Sequence, residues 1–99
     1  MRYTFEWDPV KARDNLKNHR ISFDRAAEII LDPLTVSIPD EEHSEDEERW
    51  VSIGKDRRGG VLILIHTFLE VSAEESRIRI ISARKANKRE TREYEETQQ

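Results

Sequence analysis

From Arg2 to Trp7 the chain alternates polar with aromatic side chains, so that Tyr3, Phe5 and Trp7 share one face. That period predicts a half-buried strand. Asp8-Pro9 ends it and opens a helix, because aspartate at an N-cap accepts an orphan N–H and proline at the first helical position has none to lose. The helix predicted over about Pro9 to Asn18 has a thin apolar stripe, Val10, Ala12 and Leu16, with Lys11, Arg13, Asp14 and Lys17 turned to water. Ser22 reads as a second N-cap. Phe23, Ala26, Ala27, Ile30 and Leu31 follow at amphipathic helical spacing. Asp32-Pro33 closes that helix, since a residue before proline is pushed out of the helical region. A short strand from Leu34 to Ile38 comes next.

Two apolar runs, Arg49 to Gly54 and Val61 to Phe68, flank a Gly-containing loop and predict a β-hairpin. The second run is unbroken, the mark of a central strand covered on both faces. Ser76 to Ala83 predicts the last strand, and a helix from about Arg84 to Glu96 closes the chain. The order β-α-α-β-β-β-β-α predicts an α+β fold, a mainly antiparallel sheet with its helices packed on one side, forming a single domain over residues 1–99.

Composition narrows the chemistry. The 99 residues carry 35% hydrophobic and 38% charged side chains, enough for one modest core. The absence of cysteine excludes disulfides, thiolate metal sites and a cysteine nucleophile, and suits a reducing cytoplasm. No apolar run has signal-peptide or membrane-spanning length, so a soluble cytoplasmic protein is expected. Residues Asp40 to Glu48 hold seven carboxylates around His43 and Ser44, which predicts a solvated loop.

Although the formal net charge is −4, positive charge is concentrated from Arg77 onward, in a strand alternating Arg with Ile that runs into Arg84, Lys85, Lys88 and Arg89. Local potential rather than net charge steers a polyanion, so this ridge is the candidate contact for a nucleic acid; a solvated face would carry the same residues. Arg77 and Arg79 fall on one face of the strand, and Arg84 with Lys85 would stand at a helix N-terminus, where free N–H groups favour a phosphate. His66 ends the most apolar strand on the face of Leu62 and Leu64, a place for either a general acid-base group or a satisfied core histidine. His19 and His43 lack partners at metal-ligand spacing, and no metal or other cofactor is expected. Glu90 and Tyr94 lie four apart on one face of the last helix, able to reach the sheet. Trp7 and Trp50 read as core.

There is no Gly-rich phosphate loop, paired-carboxylate motif or nucleophile elbow. A reaction whose nucleophile belongs to the substrate remains, and RNA supplies its own 2′-hydroxyl. A base must take that proton, cations must hold the charge on phosphorus, and an acid must protonate the leaving 5′-oxygen. His66 with Arg49, Arg79, Arg84 and Lys85 offers such parts; a non-catalytic module that binds RNA or a protein through the same ridge is the alternative.

Phe5-Glu6-Trp7-Asp8 with Lys11, Asn15, Lys17 and His19, then Ser22-Phe23 with Ala26, Glu48-Arg49, Ile53-Gly54, His66-Thr67, and Arg79-Ile80-Ile81-Ser82-Ala83-Arg84 with Glu90 and Tyr94, resemble the BrnT toxins of bacterial type II toxin-antitoxin systems. The resemblance spans nearly the whole chain. It implies a RelE-like fold, metal-independent cleavage of RNA with arrest of translation, and neutralisation by a BrnA-type antitoxin that alone contacts operator DNA. Carried over by local motif, the implied catalytic set is Arg79, Arg84 and His66, followed by Arg49, Lys85, Glu90 and Tyr94; the basic ridge itself offers Arg77, Lys85, Lys88 and Arg89 as RNA-binding residues. Arg20 departs from the family's usual Gly at a helix end that favours Gly or Asn. An extra acidic residue or two lengthen the central loop.

Overall fold

The computed structural model describes residues 2–43 and 47–97, with the side chain of His43 outside the description. Strand β1 (Arg2–Trp7) leads into helix α1 (Pro9–His19), short helix α2 (Phe23–Ala27) and a 3-10 turn (Glu28–Leu31). Strand β2 (Val36–Pro39), a 3-10 turn (Glu41–His43), β3 (Arg49–Lys55), β4 (Val61–Thr67), the two-residue β5 (Leu69–Glu70), β6 (Glu75–Lys85) and α3 (Lys88–Glu96) follow. The sheet runs β1-β6-β4-β3-β2, with β5 also on β6. Among the described residues only β1 and β6 pair in parallel, and the other ladders are antiparallel. No helix among the described residues is long and apolar enough to cross a membrane.

Local chemistry explains the entries to the first two helices. Asp8 accepts from the Val10 N–H at 2.8 Å and Ser22 from the Arg25 N–H at 3.1 Å. The second helix is shorter than its hydrophobic pattern predicted, because the chain tightens into the 3-10 turn after Ala27. That turn lies against β3 at Gly54, where any Cβ would collide with the Thr35 hydroxyl.

α1 and α2 cover one face of the sheet. Ile21, Phe23, Ala26 and Ile29 pack there on Leu62, Leu64, Ile78, Ile80 and Ala83, with Tyr3, Phe5 and Trp7 of β1 at the margin. Trp7 meets Phe23 edge-on, with 5.9 Å between ring centroids. The expectation that all helices share this side is corrected by α3. Its Glu90, Glu93 and Tyr94 border a groove of about 260 Å³ with Val51, Ile53 and Ile63, which point away from Leu62 and Leu64. Ile63 is accordingly buried from the second side, so β4 is covered on both faces. Tyr94 anchors α3 there: its hydroxyl donates to Asp32 Oδ2 at 2.5 Å, and Lys55 Nζ lies 6.0 Å from its ring centroid.

Strand β6 also runs further than its hydrophobic pattern predicted, to Lys85, and the closing helix starts at Lys88 instead of Arg84. Two partners extend it. Beyond Trp7 the β1 edge of β6 has no strand neighbour, and Asn15 of α1 takes that place: Oδ1 accepts from the Ala83 N–H at 3.0 Å while Nδ2 donates to Ala83 O at 2.9 Å and to Ile21 O at 3.0 Å. On the other edge, Leu62 pairs with Lys85, and the Ala86 N–H donates to Val61 O at 3.0 Å. Asn87 then caps α3, and Glu90 returns the bond to the Asn87 N–H at 2.9 Å, completing a capping box.

Candidate active site

The face of the sheet that carries α3 is open toward β1 and β6, and strand pairing arranges its side chains in rows. Glu6 on β1 is opposite Arg79 on β6, the Arg79 N–H donates to Thr67 Oγ1 at 3.3 Å, and Thr67 on β4 is opposite Arg49 on β3. Arg79 and Arg49 therefore stand in one row, two strands or about 10 Å apart at their bases, within converging reach of one polyanion. Arg77 lies on the same face a row further out, beside Thr4 and Leu69. In the other direction come Val51, Ile65 and Ser82, then Ile53, Ile63 and Arg84.

Arg79 and Arg84 are an odd number of residues apart, so in a regular strand they would point to opposite faces. A bulge prevents this. Ile65 pairs with Ser82 but His66 pairs with Ile80, leaving Ile81 as the extra residue. The additional residue reverses the alternation and brings Ser82 and Arg84 onto the face of Arg79. Under unbroken alternation Ser82 would share the face of Ile78 and Ile80.

Both arginines hold a carboxylate. Arg79 pairs with Glu47 from the acidic loop. Arg84 is gripped from both terminal nitrogens by the two oxygens of Glu90, each at 2.8 Å. This hydrogen-bonded pairing, against some desolvation, holds Glu90 down at about 2 and raises Arg84 above its ordinary value. The anticipated phosphate position between Arg84 and the helix N-terminus is thus occupied by the protein's own anion. Of the remaining acidic loop, residues 44–46 lie outside the described residues.

His66 is not with the arginines. It shares the helix-covered face with Leu64 and Ile80 and is only 3% exposed. Its Nδ1 lies 2.9 Å from Thr67 O, which can only accept, so Nδ1 carries the proton and Nε2 accepts from Ser52 Oγ at 2.7 Å. Ser52 in turn lies 2.6 Å from Ser37 Oγ. Burial lowers the His66 pKa, with the Thr67 bond a partial offset, and the imidazole is a neutral internal strut. The grouping of His66 with the cationic ridge is corrected by the sheet itself, which stands between them.

Among the described side chains, the imidazole bordering the open face is that of His19, a residue whose sequence spacing offers no metal-ligand partner. With Ser82, Arg84, Glu90, Ile63 and Ile65 it lines a groove of about 220 Å³. That is smaller than the roughly 300–1,000 Å³ of sites that enclose a ligand, and suits a surface gripping a strand's backbone. The signal for His19 was its place at a helix end: Arg20, the next residue, adopts φ 61° with its N–H bonded to Leu16 O at 2.9 Å, turning the chain there.

The other anticipated residues divide. Lys85 pairs with Leu62 and so belongs to the opposite face from Arg84. Lys88 and Arg89 are exposed on the first turn of α3, with Arg89 Nε 3.3 Å from Glu93. Tyr94 lines the α3 groove, but burial and the Asp32 bond push its hydroxyl up to about 12, and it serves as an anchor.

Comparison with known proteins bears on the fold and the family. The family model described as the ribonuclease toxin BrnT of type II toxin-antitoxin systems matches residues 7–90. The crystal structure of the Brucella abortus ribonuclease toxin BrnT superposes with a TM-score of 0.60 at 20% identity, covering 89% of this chain and 100% of that one. No curated protein matches. With three helices on a six-stranded mixed sheet among the described residues, and a family match running from β1 into α3, the chain belongs to the BrnT family of ribonuclease toxins of type II toxin-antitoxin systems.

Proposed function

We propose that this protein cleaves RNA on the open face of its sheet by a metal-independent route, arresting translation, within a RelE-like toxin fold. The observation that carries the reading is that Arg79 and Arg84, brought to one face by the bulge at Ile81, each already hold an anion. Two guanidinium groups that bind carboxylates in forked or end-on geometry are suited to phosphate oxygens. Arg84 contacts the scissile phosphate after Glu90 is displaced from it, and Arg79 with Arg49 holds an adjoining stretch of backbone. The 2′-oxygen forms a bond to phosphorus as the bond from phosphorus to O5′ breaks. His19 accepts the 2′-hydroxyl proton, and water protonates O5′. The products are a 2′,3′-cyclic phosphate and a free 5′-hydroxyl.

An antitoxin of the BrnA type neutralises the protein by covering these cations with its own acidic and apolar side chains, and carries the contact to operator DNA. The test is incubation of purified protein with RNA in excess EDTA, with product ends analysed. Cleavage with cyclic-phosphate ends is expected, and folded Arg79→Ala and Arg84→Ala proteins should lose it. Binding without cleavage would leave only an RNA-binding module, and cleavage that stops on chelation would refute the metal-independent route.

A further inference from the structure

Arg13, Lys17 and Arg20 project from one side of α1 and its end at i, i+4 and i+7 spacing, and with Leu16 they border a shallow surface groove. Leu16 is 50% exposed between them. Like charges at these spacings repel across a helix surface. Among the described residues no carboxylate pairs with any of the three, whereas Arg2, Arg25, Arg79, Arg84 and Arg89 each meet one.

Arg20 adds a second cost. Its φ of 61° is left-handed backbone, where a Cβ is disfavoured and Gly would be relaxed. The helix end itself favours a cation, which accounts for Lys17, but it does not account for a charged residue in left-handed conformation. A row that repels itself and strains its own turn becomes favourable when a polyanion lies along it.

The position of the row says which polyanion. Arg20 follows His19 directly, and His19 borders the groove of Arg84, Ser82 and Glu90. Consecutive residues of this turn thus line the two grooves, Arg20 the one and His19 the other. We infer that Arg13, Lys17 and Arg20 form a second track for the RNA backbone, continuing a strand that leaves the open-face site past His19, with Leu16 as apolar support for a sugar or base. The track rests on the cleavage reading above and assigns where the substrate flanking the cut is held.

The test uses a single-stranded 2′-O-methyl oligoribonucleotide, which binds but lacks the nucleophile, titrated at several salt concentrations against the wild type and the Arg13→Gln/Lys17→Gln/Arg20→Gly variant. Arg20→Gly relaxes the turn, so thermal melting is expected to show a folded protein. Each lost phosphate contact removes roughly 0.7 from the slope of log affinity against log salt, so the variant's slope should fall by about 2. Arg20→Lys should keep the wild-type slope where Arg20→Gly reduces it. An unchanged slope in the triple variant, with the wild type binding normally and cleaving ordinary RNA, overturns the track and leaves the cleavage reading intact. A wild-type slope together with escape from antitoxin neutralisation assigns the row to a protein partner and also overturns it. A wild type that neither binds nor cleaves RNA fails both readings.

Discussion

Glu90 closes on Arg84 with both carboxylate oxygens while one of them also accepts the Asn87 N–H at 2.9 Å, so a single side chain caps α3 and covers a site cation. Glu90→Gln separates the consequences of those tasks. It should destabilise the fold by about 1–2 kcal/mol, a figure kept small because Arg84 is 45% exposed and solvent screens the pair. RNA should bind more tightly, since Arg84 no longer has an internal anion to exchange. The pH sign follows from a native value of about 2 against 4.5 for the free side chain. Stability from this group is complete above 4.5 and is lost as pH falls toward 2, because the unfolded chain takes up the proton first. Urea midpoints should show this acid loss in the wild type and a shallower one in Glu90→Gln.

His66 behaves oppositely to a surface acid-base group. His66→Ala removes a buried ring and leaves the Ser52 hydroxyl and Thr67 carbonyl without it, at a cost of about 2–4 kcal/mol. Cleavage per folded molecule should remain near wild type, whereas Arg84→Ala should lose cleavage with little loss of fold. Since burial lowers the native pKa from 6.5, the stabilising neutral ring is fully present above 6.5 and its contribution declines as pH falls through the native value. His66→Phe should flatten that part of the stability profile. A folded His66→Ala protein with abolished cleavage would return the imidazole to the chemistry.

How much of this was legible depended on how local the determinants are. The alternation of Tyr3, Phe5 and Trp7, the caps Asp8 and Ser22, and the unbroken Val61 run each act within a few residues, and the structure follows them. The face of His66 was legible too, because it alternates with Leu62 and Leu64; which face the first two helices would cover was a tertiary matter. The bulge at Ile81 has no glycine or turn signature to announce it, so the true face of Arg84 was hidden. The extension of β6 to Lys85 was hidden for a similar reason: its edge partner is Asn15, distant in sequence. The capping box of Asn87 and Glu90 was readable, but the basic run before it drew the predicted helix start back to Arg84.

Asn15 gives the most direct test of how α1 positions the site. It is 6% exposed, and its amide serves three backbone groups that water does not replace. Asn15→Ala should cost about 2–4 kcal/mol through a cavity and unpaired backbone groups. Asn15→Asp should cost a similar amount, because a carboxylate accepts from Ala83 N–H yet cannot donate to either carbonyl. Both should reduce cleavage more than the unfolded fraction explains, since Ser82 and Arg84 flank the released residue. Amide hydrogen exchange should rise at Ala83 before it rises at Leu64, with equal rise at both counting against local release.

Tyr94 separates anchoring from chemistry at the far end of α3. Tyr94→Phe deletes the donor to Asp32 while keeping the ring under Lys55. Burial of Asp32 by itself would raise its pKa, and the Tyr94 bond with the Lys55 and Leu34 N–H groups and the Lys55 charge outweighs that, holding it low. Removing the strongest of those bonds should therefore raise the Asp32 pKa and cost about 1–3 kcal/mol. In the wild type the Tyr94 hydroxyl at about 12 against 10.0 unfolded implies a contribution that is intact below 10.0 and lost as pH climbs toward 12. Tyr94→Phe should erase that alkaline loss and retain RNA cleavage at neutral pH, because the hydroxyl donates to Asp32 and Tyr94 does not line the groove of His19 and Arg84. Loss of cleavage in a folded Tyr94→Phe protein would instead make the hydroxyl part of the reaction.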